Sequence, residues 1–256
     1  MMVRLALSVL ALCLLGLSAA KAQRLVASTS DPEVSITSTF AGDTITLFGT
    51  IEPETGATEP LAPQRYDMVI AVRGPVANHV VRRKDSVFGI WINREQQEYR
   101  NFPNFFSIVS SAPLDKIADE ELLKSLYLTF ESQTELARID EPAAVQPVFS
   151  ENLVRLKEQR GLFALNEGGV SFLSPRFYST RIDLPAFAPN GTYLAQTHLF
   201  QNGELIARRV DRFVVRTAGF ERFVGDAARD YPLVYGAFCV LLAVFTGWLG
   251  GVAFKR

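Results

Sequence analysis

The sequence predicts a mainly β protein with a helical insert: a periplasmic immunoglobulin-like β-sandwich followed by one C-terminal transmembrane helix. Three observations carry this. Short runs with period-two alternation recur before residue 112 and after residue 175. The period changes to three and four between about 114 and 160. Leu233 to Phe254 is a run of 22 uncharged residues. At 1.5 Å per helical residue it spans about 33 Å, enough for a hydrocarbon core of roughly 30 Å.

The elements follow in order. Met1-Met2-Val3-Arg4, the apolar run Leu5 to Leu17 and Ala20-x-Ala22 have the layout of a signal peptide over residues 1–22, cut before Gln23. The apolar run is short for a bilayer span, so an uncleaved anchor is the lesser alternative. Cys13 follows Leu12, where a lipoprotein signal needs a small residue. Val34 to Ser38 and Thr44 to Ile51 alternate as strands on either side of Ala41-Gly42-Asp43. Glu52 to Pro63 reads as a loop. Tyr66 to Val72, His79 to Arg83, Val87 to Asn93 and Phe105 to Ser110 are four more strands.

Pro113 opens one amphipathic helix, with Ile117, Leu122, Leu123, Leu126 and Tyr127 as its apolar positions. Val145 to Gln159 forms a second, stopped by Gly161. Arg176 to Leu184, Thr192 to Phe200 and Leu205 to Val215 return to strand. The last two are joined by Asn202-Gly203, a strong hairpin signal. Phe220 to Tyr231 is an amphipathic lead-in. The span at 233–254 ends in Lys255-Arg256, which places that flank in the cytoplasm and residues 23–231 outside. This is a single-pass inner-membrane topology with the bulk of the chain in the periplasm.

Composition narrows the chemistry. Four of the 26 basic residues lie outside the body and none of the 27 acidic ones do, so the body is mildly acidic and has no general attraction for nucleic acid. Cys13 and Cys239 both fall outside it, so the body folds without disulfides. His79 and His198 are the two histidines. There is no Gly-x-Ser-x-Gly elbow and no His or Cys pair with ligand spacing. We therefore expect no enzyme activity, no metal and no cofactor. Asp115, Asp119, Glu120 and Glu121 suit helix N-termini.

Three groups are candidate contact sites. Ala243, Gly247 and Gly251 put small residues on one face of the span, where a neighbouring helix can approach closely. Trp91, Tyr99, Phe102, Phe105 and Phe106 form a dense aromatic region, either a contact surface or a cap on the core. Arg82, Arg83 and Lys84 form a basic cluster, either an anion or partner contact or the charged face of an edge strand.

The segments Tyr66 to Pro75, Val80 to Lys84, Gly89 to Asn93, Phe105 to Leu114 and Asn190 to Tyr193 resemble a family of transmembrane proteins of alphaproteobacteria. The likeness extends over the whole mature chain. The resemblance implies a signal, a periplasmic body and one C-terminal span. It also implies, in some genomes, neighbouring permeases of sulfite-exporter type. The role expected is an accessory or partner protein of a membrane complex, with a permease or a second copy of this chain as partner. The alternative is a periplasmic ligand-binding or sensing module.

Overall fold

The computed structural model describes residues 24–36, 42–52, 66–138, 147–217 and 220–253. The expected signal at 1–22, most of the loop at 52–63 and the terminal Lys255-Arg256 lie outside the described residues.

The described residues form twelve strands and six helices. The strands are β1 (Arg24–Thr29), β2 (Glu33–Ile36), β3 (Gly42–Glu52), β4 (Asp67–Arg73), β5 (Val76–Val87), β6 (Ile90–Pro103), β7 (Phe106–Ser110), β8 (Phe163–Glu167), β9 (Val170–Phe172), β10 (Phe177–Pro185), β11 (Gly191–Gln201) and β12 (Glu204–Thr217). The helices are α1 (Leu114–Ile117), α2 (Glu120–Ser125), α3 (Phe130–Ala137), α4 (Pro147–Gln159), α5 (Phe220–Asp230) and α6 (Pro232–Ala253).

One sheet has the order β1-β3-β10-β9, a second the order β2-β12-β11-β4-β7-β8, and β5-β6 form a separate ribbon. The first two share one hydrophobic core. Leu25, Ile45, Leu47, Ile51, Tyr178 and Ile182 come from the four-stranded sheet. Met68, Ile70, Val72, Val109, Tyr193, Leu199, Phe213 and Val215 come from the six-stranded one. The order places β1, β3, β10 and β9 where immunoglobulin-like domains carry A, B, E and D, and β12, β11 and β4 where they carry G, F and C. β2 runs parallel to β12. The expected β-rich body with a helical segment and one C-terminal apolar helix is what is found.

The link from β8 to β9 crosses between the two sheets at Gly168-Gly169. A Cβ on Gly169 would lie 2.5 Å from Val109 Cγ1, so no larger residue fits this crossing. Asn202 and Gly203 both have positive φ, and the Asn-Gly hairpin forms as expected.

β4 is buried on both faces. The core covers one; the helical insert shields the other side of the sheet. Phe106 packs 5.9 Å from Phe163 and 6.1 Å from Phe130, ring to ring, and Phe163 stacks 5.4 Å from Phe102. Each such ring, when fully buried, contributes about 1.5–3 kcal/mol, so this cluster fastens the insert.

The insert differs from the two helices expected. The first breaks at Ala118, which is extended at φ −159°, because Asp119 starts a new helix and Ile117 and Ala118 are drawn into the core. α3 was not expected. It begins at a reciprocal Thr129–Ser132 capping box in place of the Ser/Thr-x-x-Glu pattern.

Candidate functional site

The ribbon β5-β6 is the largest departure from expectation. His79 to Arg83 and Val87 to Asn93 are parts of one long hairpin, which continues the β4-β7 ladder. Arg73 pairs with Phe106, the Gly74 amide donates to the Phe105 carbonyl, the Asn104 amide donates to the Pro75 carbonyl, and Val76 pairs with Pro103. Beyond its base the ribbon leaves the body as an arm. Apart from half-buried Asp85, the described side chains from 82 to 94 are exposed.

Asn101 to Pro103, which fall between two of the expected strands, belong to β6. Asn101 adopts φ 52° and forms a bulge, so Tyr99 and Phe102, three apart, turn to the same side. Strict alternation would have separated them. This corrects the aromatic contact surface. Tyr99, Phe102, Phe105 and Phe106 are at most 2% exposed and belong to the core. The Tyr99 hydroxyl meets Ser150 Oγ on α4 at 2.9 Å, and Phe105 packs on Tyr193 at 5.4 Å. Of the five, only Trp91 is on the surface, at 69%.

A small polar cradle fixes the base of the arm to α4. Asn104 Oδ1 accepts from His79 Nε2 at 2.9 Å and from Lys157 Nζ at 3.2 Å, and the ammonium stands 6.0 Å above the Phe102 ring. An amide oxygen only accepts, so the His79 proton is assigned to Nε2. Burial pulls the Lys157 ammonium down to about 8, with Arg160 adding to it. Burial and then the Lys157 charge lower His79. Both shifts favour neutral forms at the base of the arm.

Arg82, Arg83 and Lys84 lie exposed on β5. Arg83 pairs with Glu95 at 3.1 Å and Arg82 Nε donates to Gln96 Oε1 at 3.3 Å, both across the ribbon. Arg94 pairs with Asp85 at 3.1 Å. Such exposed pairs are worth under about 1 kcal/mol, and the basic side chains stay accessible.

His198 is enclosed in the six-stranded sheet between Val69 and Arg208, and burial drives its pKa down to about 4. A groove between α3 and α4 is lined by Phe130, Thr134, Arg138, Ser150 and Val154. Among the described residues no cluster of His, Cys, Asp or Glu has the make-up of a metal site.

In α6, Pro232–Val252 has a mean hydropathy of 2.0 and none of it is buried against the body. Ala243, Gly247 and Gly251 are exposed, and a Cβ on either glycine would meet nothing within 4 Å.

Among the described residues, a β-rich body is joined to one helix long and apolar enough to cross a membrane, the make-up of a membrane-anchored protein. Residues 24–256 match the family described as "Putative transmembrane protein (Alph_Pro_TM)", and the chain belongs to that family. No curated relative matches the chain.

Proposed function

We propose that this protein is an accessory or partner subunit of a membrane complex, with a permease of sulfite-exporter type as the partner class. In this reading residues 1–22 direct export, the β body lies in the periplasm, and α6 anchors it in the bacterial inner membrane. The action is association rather than catalysis. The observation that supports it best is the bare surface of α6, which leaves the small-residue face of Ala243, Gly247 and Gly251 open to a neighbouring helix. The histidines favour a non-catalytic reading too: His198 is enclosed in the sheet, and His79 faces an amide and an ammonium.

Affinity purification from native membranes tests this. Gly247→Leu with Gly251→Leu keeps the helix apolar but holds a neighbouring backbone away. The double variant is expected to stay in the membrane and lose its co-purifying partner, or its self-association. Leu241→Ile with Leu242→Ile is expected to change little. Equal recovery of the same complex from the glycine variant would reduce α6 to an anchor. The groove between α3 and α4 supports a second reading, a ligand-binding or sensing module, for which a bound small molecule rather than a protein would be recovered.

A further inference from the structure

The tip of the arm is built against ordinary preferences. Phe88 and Gly89 both have positive φ, at 51° and 81°, as a two-residue type I′ turn requires. That turn favours Asn-Gly, and a bulky residue is strained there. Phe88 is nevertheless fully exposed, with Ile90 at 68%, Trp91 at 69% and Ile92 at 44% beside it. Ile90 and Ile92 project from one side of the ribbon and Trp91 from the other. Turn chemistry and core packing explain none of these residues. A protein groove covers one side of a ribbon, whereas a tip that is apolar on both sides suits a medium that surrounds it.

Behind the tip comes a basic collar: Arg82, Arg83, Lys84 and Arg94, against Asp85 and Glu95. Lys84 is three residues from Val87, about 10 Å along the strand. An interfacial segment buries its apolar part about 5–10 Å deep, which places this collar at the level of lipid headgroups.

The topology puts a membrane within reach. β4 delivers the arm, and β12 delivers α5 and α6, from the same end of the six-stranded sheet. Gly191 opens β11 opposite Val215, and Pro75 packs against Gly191. From that end the arm's 12-residue strand extends about 40 Å, whereas the eleven-residue α5 covers about 16 Å before α6 begins.

We propose that the tip Phe88-Gly89-Ile90-Trp91-Ile92 enters the interface of the membrane that α6 spans, with the basic collar on anionic headgroups. The body is then held at two points, a span and an arm. This rests on reading α6 as a span, and the test separates the two ideas.

The chain has two tryptophans, Trp91 and Trp248. Full-length Trp248→Phe leaves Trp91 as the sole reporter of the arm, and Trp91→Phe leaves Trp248 as the sole reporter of the span. Both variants are reconstituted in vesicles of phosphatidylethanolamine and phosphatidylglycerol with brominated acyl chains. The expected result is a blue-shifted Trp91 emission that loses most of its intensity to the bromines and is shielded from aqueous iodide. Replacing phosphatidylglycerol with phosphatidylcholine is expected to weaken that loss; indifference to lipid charge would overturn the role of the collar. Trp248 quenched while Trp91 stays water-exposed would overturn the arm proposal and leave the span intact. Neither residue quenched would overturn the span and the arm together. Trp91 shielded in native membranes but not in protein-only vesicles would make a partner protein the occupant, and the lipid proposal would fall.

Discussion

The hydroxyl of Tyr193 donates to the backbone carbonyl of Pro189, 2.8 Å away and four residues earlier. Tyr193 is the third residue of β11, just after the turn that enters it; its ring stacks 5.1 Å from Phe213, and burial raises its phenol well above the ordinary range. Immunoglobulin-like domains tie the same corner with a tyrosine at the start of strand F. Tyr193→Phe keeps the ring and removes the tie. The expected cost is about 0.5–1.5 kcal/mol, read as a lower denaturant midpoint with an unchanged slope. An unchanged midpoint would mean that the ring alone holds the corner.

Acid should loosen the body through His198. Its folded pKa, about 4, lies below the ordinary 6.5, first because of burial and then because of Arg208. Between those values the unfolded chain binds the proton more readily, so stability falls as pH drops from 6.5 toward 4. His79 is lowered as well and adds in the same direction. Denaturant midpoints measured across this window should decline less steeply for His198→Leu than for the unaltered protein. Parallel curves would remove His198 from the account.

Orientation follows from the reading of the two chain ends. A reporter active only in the cytoplasm is expected to work when fused after Arg256 and to be silent when fused after Thr217. Activity at Thr217 would reverse the proposed topology.

The alternation of Thr44 to Ile51 and the Asn202-Gly203 turn made the main β layers readable from sequence, because one face of each strand is buried and the other is wetted. The apolar length of α6 made the anchor readable for a similarly local reason. The arm was not readable as one element. The bulge at Asn101 shifts the period by one residue, so Tyr99 and Phe102, which no alternation joined to a strand, looked like candidates for a contact surface when they are core. β8 was obscured because its exposed Ala164 to Glu167 carry no alternation. α1 and α2 looked like one helix, since spacing alone cannot show a chain that turns at Ala118 to bury it. The Lys157 cradle left no sequence signal: three polar residues far apart in the chain meet only once the insert has folded.

The pairing of β2 with β12 has a mechanical consequence. β12 leads into the helix that anchors the molecule, and it lies between β2, parallel, and β11, antiparallel. A pull transmitted from the bilayer along β12 must slide it past both neighbours at once, loading many ladder hydrogen bonds in shear rather than opening them one by one like a zipper. The body is therefore attached to its anchor through a strand that resists being drawn out, so tension along that strand is borne by the whole sheet.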